Sequence, residues 1–293
     1  MSLTRQITII GTGLIGGSFG LALKKRKFHG RIVGCDRAPV LQRAIKDGAI
    51  DEGITNPVDA IRGSQFVLVA TPVGAIIDLI ERLGPALPAK TLLTDVGSTK
   101  AQVVARAQAA MGAHASQHFL AGHPMAGKEQ SGVEFADADL FVGAAWFVTP
   151  LPDQNVFAGL PGEFLEWVEK IGARIASIDA EDHDRLCGWI SHLPQMISTA
   201  LAATLVDEFG DDARLLDAGG RALREMTRIS ASPYSMWRDI AITNKANIQD
   251  ALLKLEQQLA HIRENLGTRE LEEEFEKAHE LRKVAKSKAK LSD

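Results

Sequence analysis

Between Gln6 and Asp179, short apolar runs rich in β-branched residues alternate with stretches of helical spacing. The runs are typical of buried strands, and they occupy residues 7–10, 31–34, 66–70, 91–95, 118–122, 144–148 and 173–178. Near-continuous apolar strands joined by helices predict a mostly parallel sheet that is covered on both faces. The sequence therefore predicts an α/β fold, with a doubly wound parallel sheet in a domain of residues 1–179.

The strand pattern stops after Asp179, and only helical periodicity follows. It covers residues 180–209, 214–228, 233–263 and 268–288, which predicts an all-helical second domain over residues 180–293. A length of 293 residues fits two domains of ordinary size. A single helix over residues 233–263 would be roughly 45 Å long, more than one small domain covers. Its exposed apolar face predicts that the helical domain forms a homodimer.

The charge balance and the cysteine content exclude several classes of protein. Thirty-three Lys and Arg against 37 Asp and Glu give a net charge of −4, which lacks the basic excess of a nucleic-acid binder. Cys35 and Cys187 are too few for a disulfide framework, which predicts a reducing compartment, the cytoplasm. We therefore expect the partners to be small molecules and a second copy of the chain.

Two uncharged stretches match export or membrane signals in composition only. Residues 7–23 contain five glycines and end at Lys24 and Lys25 in place of a small-residue cleavage site. Residues 190–206 carry His192 and Pro194, and the stretch is shorter than the roughly 20 residues of a spanning helix. No membrane segment is expected.

A Gly-rich motif, GTGLIG, directly follows the first predicted strand and opens a helix. In this context Gly11 permits a tight turn, Gly13 allows close approach to a pyrophosphate, and Gly16 allows the helix to pack on the strand. The free N–H groups at the start of the helix, at Leu14 and Ile15, favour an anion there. The motif predicts that the first domain is a Rossmann-type dinucleotide-binding domain.

Asp36 follows the second predicted strand, where an acid accepts hydrogen bonds from the ribose 2′-OH. It would repel a 2′-phosphate, so NAD is predicted in preference to NADP, although the neighbouring Arg37 moderates that preference. Two loops follow other predicted strands, one with Thr71 and Pro72 and the other over residues 95–98. Ligands bind at the carboxyl ends of strands in such sheets, so both loops are expected to face the nicotinamide half of the cofactor.

His123 lies just past the strand predicted at residues 118–122. A histidine there can take a proton from a hydroxyl as hydride leaves the same carbon, and its ordinary pKa near neutrality suits that role. From spacing alone, a capping or core histidine explains this residue equally well. Its position at a strand end favours catalysis.

Five segments, in their order and spacing, resemble the prephenate/arogenate (cyclohexadienyl) dehydrogenase family of tyrosine biosynthesis over almost the whole chain. They are GTGLIGGS at residues 11–18, DVGSTK at 95–100, GHPMAGKEQSGVE at 122–134, SHLPQ at 191–195 and SPYSMWRDI at 232–240. The resemblance implies NAD-dependent oxidative decarboxylation of prephenate to 4-hydroxyphenylpyruvate, carbon dioxide and NADH. Arogenate, or both cyclohexadienols, is the alternative substrate, and arogenate would give tyrosine directly.

The resemblance also implies roles for individual residues. His123 is the general base on the ring hydroxyl, and Ser98 makes a second hydrogen bond to the same hydroxyl. Arg228 holds the substrate carboxylate, a bidentate task that suits a guanidinium group. Trp237 lies near the site and can come from the partner subunit. Without the resemblance, Ser98 is the N-cap of a helix over residues 100–110, Arg228 a surface charge and Trp237 a packing residue.

Three further residues are expected near the substrate. His192 is better explained as a hydrogen-bonded structural residue than as a catalytic one. Gln195 stands where some prephenate-using relatives have a second histidine, so the choice between the keto side chain of prephenate and the amino side chain of arogenate stays open. Glu225 is close to Arg228 in sequence, and an ion pair between them would order the substrate entrance.

The remaining histidines form no convincing set of metal ligands, so no metal is expected; they are His29, His114, His118, His183, His261 and His279. A β-hydroxyacid dehydrogenase usually has a catalytic lysine early in its helical domain, and residues 180–201 contain no lysine. A non-catalytic NAD(H) sensor would need no base at a strand end. About 110 residues follow the start of the helical domain, so no regulatory domain is expected, and any inhibition by tyrosine would act at the substrate site.

Overall fold

The computed structural model describes residues 4–210 and 212–290. Within them the sheet has eight strands: β1 (Gln6–Ile10), β2 (Arg31–Cys35), β3 (Glu52–Ile54), β4 (Phe66–Val69), β5 (Leu92–Asp95), β6 (Phe119–Pro124), β7 (Ala145–Thr149) and β8 (Arg174–Ser177). Each of the seven predicted runs holds a strand. The additional strand β3 was missed because its three half-buried residues, EGI, form no apolar run.

The strands form one sheet in the order β3-β2-β1-β4-β5-β6-β7-β8. All pairs from β3 to β6 are parallel, and Ile7 lies opposite both Ile32 and Phe66. β7 runs antiparallel to β6, and β8 runs parallel to β7. The strand order reverses at β1, which confirms the prediction of a doubly wound, mostly parallel sheet.

Helices connect the strands and cover both faces of the sheet: α1 (Leu14–Lys25), α2 (Ala38–Lys46), α3 (Pro57–Ala60), α4 (Val73–Leu83), α5 (Ala101–Met111), α6 (Ala115–His118) and α7 (Gly159–Lys170). Alternate residues of a strand enter different cores, as Phe66 and Val67 do in β4. The rings of Phe19, Trp146 and Phe164 lie within 6.3 Å of one another, centroid to centroid, in one of these cores. These aromatic contacts hold α1 and α7 on the same face of the sheet.

After β8 the described chain is helical, as predicted. The helices are α8 (Ala180–Cys187), α9 (Leu193–Phe209), α10 (Ala213–Ala218), α11 (Gly220–Thr227), α12 (Tyr234–Thr243), α13 (Lys245–Glu264) and α14 (Arg269–Lys290), with a π-helical turn at Gly188–His192. The prediction of one helix over residues 233–263 is wrong, because α12 ends before Asn244. That residue leaves helical geometry with φ −121°, and its side-chain amide donates to the Asp184 carbonyl at 2.7 Å.

Internal contacts divide the described chain into two compact units, which lie within Met1–Lys245 and Ala246–Asp293. The first unit contains the sheet and helices α1 to α12. In the second unit, Gln258 of α13 donates to Glu274 of α14 at 2.8 Å. The domain boundary predicted after residue 179 stays a prediction. In the part of the chain that the structure describes, no helix has both the length and the apolar character of a membrane span.

Candidate active site

The loop between β1 and α1 is shaped by the three glycines of its motif. Gly11 has φ +90°, and a Cβ atom there would overlap the Ala70 carbonyl. A Cβ atom on Gly16 would overlap the Gly11 carbonyl, so both positions require glycine. A Cβ atom on Gly13 would meet no atom within 4 Å. The loop is therefore closely packed at Gly11 and Gly16 and open to a ligand at Gly13.

The N-terminus of α1 lies at the open end of this loop. Gly13 is the N-cap, the first turn holds no acidic residue, and no side chain of the described residues caps the helix. The N–H groups of a first helical turn, here those of Leu14 and Ile15, have no partner inside the helix. They and the helix dipole favour an anion. These residues fit the pyrophosphate of a dinucleotide.

Asp36 directly follows β2 and is half-buried beside the Gly-rich loop. Its carboxylate accepts the Thr12 N–H at 2.9 Å and the Arg37 N–H at 2.7 Å. These bonds hold the carboxylate at the end of β2, where the sequence predicts the ribose-binding acid, while Arg37 is exposed. The contact between Asp36 and the ribose stays a prediction.

A cavity of about 370 Å³ lies at the carboxyl ends of β4, β5 and β6. Both predicted catalytic residues, Ser98 and His123, line it. Five predicted cofactor residues line the same cavity: Gly13, Leu14, Ile15, Thr71 and Pro72. The loop after β6 and the start of α12 complete its wall. A larger groove of about 1300 Å³ at the amino ends of the strands is lined by none of the predicted site residues.

His123 is part of β6, so the prediction that the strand ends before it is wrong. Pairing with β7, where His123 lies opposite Phe147, carries the strand beyond the predicted end. The side chain is buried, and this burial is the main reason why its pKa is lowered well below 6.5. His183, Lys100 and His192 lower that pKa further. His123 is therefore neutral at pH 7, the form that can accept a proton.

Three residues of α8 belong to the hydrogen-bonded surroundings of His123 and were missed in the sequence: His183 and Cys187 lie beside His123, and Asp184 bonds to His183. His183 Nε2 lies 2.9 Å from His123 Nδ1, and His183 Nδ1 lies 2.9 Å from an Asp184 carboxylate oxygen. Cys187 Sγ lies 3.4 Å from His183 Nε2, and burial raises the pKa of the Cys187 thiol to about 12. The available signal was the spacing of His183 and Cys187, because residues four apart share a helix face.

The donor atoms of His123, His183 and Cys187 lie within 4.8 Å of one another, and their types suit a metal ion. Two imidazole nitrogens on one tetrahedral ion, each at about 2.0–2.1 Å, lie roughly 3.3 Å apart. The 2.9 Å between His123 Nδ1 and His183 Nε2 is a hydrogen-bond length instead. The cluster therefore has the geometry of a hydrogen-bonded network, and the expectation that no metal is needed stays a prediction.

A buried ion pair, also missed in the sequence, lies next to the loop that carries Ser98. Lys100 Nζ contacts the Asp95 carboxylate and donates to the Gly122 carbonyl at 2.7 Å. Asp95 also accepts the N–H groups of Gly97 at 2.7 Å and Gly122 at 3.1 Å. Burial lowers the pKa of Lys100, and the Asp95 charge opposes that effect. These bonds fix the Ser98 loop relative to β6, one residue before His123.

Ser98 lines the cavity and is not the N-cap of the next helix, so that alternative interpretation is wrong. Helix α5 begins at Ala101, and the Asp184 carboxylate accepts the N–H groups of Lys100 at 2.6 Å and Ala101 at 3.0 Å. A carboxylate at this end satisfies free N–H groups and interacts favourably with the helix dipole. Helix α8 thus supplies the cap that the sequence assigned to Ser98.

His192 and Trp237 pack edge to face, with ring centroids 5.9 Å apart. The Asn244 side chain donates to His192 Nδ1 at 3.0 Å. Burial lowers the pKa of His192 to about 4. Neither ring lines the cavity, which favours a structural role for His192 and a packing role for Trp237.

Arg228 and Glu225 do not line the cavity either. Arg228 forms an ion pair with Glu129, which lies in the loop after β6. Glu225 pairs with Arg221, one turn earlier on α11, at 2.7 Å. The predicted ion pair between Glu225 and Arg228 is therefore wrong, because α11 ends at Thr227 and Arg228 pairs across to the cavity loop.

Gln195 is buried in α9 outside the cavity lining. Its side-chain amide donates to the Ile229 carbonyl at 2.9 Å and to Thr199 Oγ1 at 3.2 Å. Gln195 thereby holds the backbone next to Arg228. The structure places it in support of the arginine segment rather than on the cavity wall.

Comparisons with known proteins identify relatives of the chain. Residues 19–177 match the family model for the nucleotide-binding domain of prephenate dehydrogenase, and residues 179–281 match the model for its dimerization domain. Prephenate dehydrogenase of Bacillus subtilis is 34% identical over 252 residues, which are 83% of this chain and 65% of that relative. The protein of the same name from Lactococcus lactis is 31% identical over 293 residues, covering 96% of this chain and 77% of the relative. The chain thus spans less than two thirds of the length of the first of these relatives.

A solved structure agrees with these matches along the chain. Prephenate dehydrogenase from A. aeolicus, in complex with hydroxyphenyl propionate and NAD+, is 31% identical and superimposes with a TM-score of 0.84. The match covers 97% of this chain and 98% of that one. With its sheet, its Gly-rich loop and its helical second half, the chain belongs to the prephenate dehydrogenase family.

Proposed function

We propose that this chain catalyses the NAD-dependent oxidative decarboxylation of prephenate to 4-hydroxyphenylpyruvate, carbon dioxide and NADH. The observation that carries the proposal is one cavity lined by His123, Ser98 and the Gly-rich loop at Gly13. A proton acceptor and the dinucleotide-binding loop then face the same carbinol group of a substrate. The prephenate dehydrogenases of B. subtilis and L. lactis support the assignment.

His123 acts as the general base. Its Nδ1 atom is engaged by His183, and among the residues that the structure describes none forms a hydrogen bond to Nε2. Nε2 therefore takes the proton of the ring hydroxyl, which Ser98 orients with a second hydrogen bond. A positioned base of this kind contributes about 10²–10⁴-fold to the rate.

The other roles are binding and orientation. The N–H groups of Leu14 and Ile15 and the Asp36 carboxylate hold NAD+, which when bound supplies the acceptor for the hydride. Arg228 holds the substrate carboxylate, and its ion pair with Glu129 supports this role because the guanidinium already binds a carboxylate beside the cavity loop. Loss of carbon dioxide makes the ring aromatic and supplies much of the driving force, so the chain has to position groups and accept one proton.

Arogenate, or both cyclohexadienols, is the second candidate substrate. A relative from Zymomonas mobilis that is named cyclohexadienyl dehydrogenase, 29% identical over 247 residues, supports this second candidate. The test is the ratio of kcat/KM for prephenate to that for arogenate, measured by NADH formation at saturating NAD. A large ratio supports the proposal, a small one assigns the chain to arogenate, and a ratio near one assigns it to both. Absence of turnover with either substrate rejects the proposal and favours an NAD(H) sensor.

We further propose a homodimer that forms through the helical part of the chain. The match of residues 179–281 to a dimerization domain supports it, as do exposed apolar side chains on α13 and α14, among them Leu253, Leu259 and Phe275. Light scattering on the purified protein tests it, and a monomer would reject it. A cytoplasmic location is proposed because Cys35 and Cys187 are free, buried thiols.

A further inference from the structure

A chain of hydrogen bonds runs from the N-terminus of α5 to the cavity. Asp184 Oδ1 lies 2.9 Å from His183 Nδ1, and His183 Nε2 lies 2.9 Å from His123 Nδ1. The three residues are 2%, 0% and 8% exposed, in that order. Of the three, His123 lines the cavity. Of these three hydrogen-bonded residues, His123 is therefore the one that a substrate can reach.

Asp184 acts as an acceptor at the inner end of this chain. Its two oxygens already accept the backbone N–H groups of Lys100 at 2.6 Å and Ala101 at 3.0 Å. An ionised carboxylate has no proton to donate. The proton in the bond between Asp184 and His183 therefore belongs to His183 Nδ1.

The protonation of His183 then decides that of His123. Burial lowers the pKa of His183, so its ring is neutral at pH 7. With a proton on Nδ1, the neutral ring offers only a lone pair at Nε2. Two groups face that lone pair: the Cys187 thiol at 3.4 Å and His123 Nδ1 at 2.9 Å. Two ring nitrogens at 2.9 Å need a proton between them, so His123 Nδ1 donates it and His123 Nε2 carries none.

We propose that Asp184 and His183 are positioning residues that fix His123 in the tautomer whose Nε2 atom is free to accept a proton. The tautomer follows from the hydrogen bonds and from the neutral state of His183, whereas its effect on turnover rests on the function proposed above. When Nε2 takes the hydroxyl proton, the substrate oxygen keeps the electron pair of the broken O–H bond. The His123–His183 pair gains one positive charge, which the Asp184 carboxylate beside His183 stabilises.

Asp184→Ala tests the tautomer directly. It removes the acceptor of the His183 Nδ1 proton, so the neutral His183 ring is no longer held in one tautomer, and His123 then takes both. Nitrogen-15 NMR of the histidine-labelled protein, without substrate, reports which ring nitrogen is protonated, and the spectrum of His123→Asn assigns the signals. We expect the His123 proton on Nδ1 in the wild type and shared between Nδ1 and Nε2 in Asp184→Ala. Asp182→Ala removes an exposed carboxylate of the same helix and is the matched control.

Two results overturn the proposal: a His123 proton on Nε2 in the wild type, or an unchanged His123 tautomer in Asp184→Ala. The NMR measurement needs no substrate, so it tests the tautomer even if neither prephenate nor arogenate is turned over. Absence of turnover would reject the proposed function and leave the tautomer proposal standing.

Turnover separates positioning from a purely structural role. His183→Gln keeps a donor toward Asp184 and an acceptor toward His123, whereas His183→Leu keeps only the volume. We expect Asp184→Ala and His183→Leu to lower kcat by about 10²–10⁴-fold, with the KM for NAD changed by less than about two-fold. His183→Gln should keep at least about ten times the kcat of His183→Leu. Equal kcat values for the two His183 variants would contradict positioning, and if a variant does not fold, the His123 tautomer in the wild type decides.

Discussion

Arg228 forms an ion pair with Glu129, in the loop whose neighbouring residues Lys128 and Gln130 line the cavity. The guanidinium that is proposed to bind the substrate carboxylate is thus already paired with a carboxylate of its own chain. A substrate has to displace Glu129 before it can bind Arg228. This competition leads to the first prediction.

Glu129→Gln removes the competing charge. We expect the KM for prephenate to fall by up to about five-fold at unchanged kcat, because a partly exposed ion pair contributes about 0.2–1 kcal/mol. Steady-state kinetics at saturating NAD measures the change. Glu225→Gln, which loses only the pair with Arg221, is the control and should keep the wild-type KM. A KM that rises in Glu129→Gln would mean that Glu129 helps to bind the substrate.

Arg228→Lys keeps the charge but loses the planar fork of donors. We expect the KM for prephenate to rise roughly ten- to hundred-fold, the value of one charge-assisted hydrogen bond, with a smaller effect on kcat. Arg221→Lys changes an exposed arginine of the preceding helix and serves as the control. If the two variants have equal KM values, Arg228 does not bind the carboxylate.

His123→Asn removes the proposed base and keeps a polar side chain of similar size. We expect kcat to fall by about 10²–10⁴-fold because the hydroxyl proton loses its acceptor. NAD affinity, followed by fluorescence titration, should stay as in the wild type. The exposed His29 provides the control, His29→Asn. Unchanged turnover in His123→Asn would remove this residue from the mechanism.

Asp36→Asn tests the cofactor preference. The amide oxygen can still accept the Thr12 N–H bond, while the charge that is proposed to face the ribose is lost. We expect the Kd for NAD to rise by about ten-fold and the preference for NAD over NADP to shrink. Titrations with both dinucleotides measure this. Asp47→Asn, which loses an exposed pair with Arg43, should leave both Kd values unchanged, and the same result for Asp36→Asn would argue against ribose binding.

The buried histidines predict how stability depends on pH. Burial lowers the pKa of His123, His183 and His192 in the folded chain, for His192 to about 4. Below about pH 6.5 the unfolded chain therefore binds protons that the folded chain does not, so the free energy of unfolding decreases as the pH falls. The slope approaches about 1.4 kcal/mol per pH unit for each histidine. The stability that each neutral, buried histidine contributes is fully present above about pH 6.5.

Urea titrations between about pH 7.5 and pH 5 measure this slope. A free energy of unfolding that stays constant or increases toward pH 5 would show that these histidines are charged in the folded chain.

The sequence was sufficient for the fold and for the centre of the site. Near-continuous apolar runs and helical spacing place β1, α1 and most other elements of the sheet domain, and the rule that ligands bind at strand ends brings Ser98 and His123 to one cavity. The contacts that complete the site come from distant parts of the chain. His183 lies 60 residues after His123, and their contact depends on β7 reversing direction beside β6.

Two local errors have the same physical origin. The break between α12 and α13 carries no glycine or proline, and Asn244 forms it by donating to the Asp184 carbonyl and to His192. Ser98 has the residue type of an N-cap, yet the Asp184 carboxylate takes that position from another helix. Side-chain hydrogen bonds over long sequence distances overrode local propensity in both places, and no pattern within a short window contains them.

A single residue, Asp184, makes three contacts that hold separate elements together. Its carboxylate caps α5 and bonds to His183, and its backbone carbonyl accepts the Asn244 side chain. A mutational screen scored by protein abundance would register a change at this position as damage to folding. It would not detect the effect on which ring nitrogen of His123 carries the proton. Natural selection for a stable chain and natural selection for a reactive one therefore act on the same carboxylate.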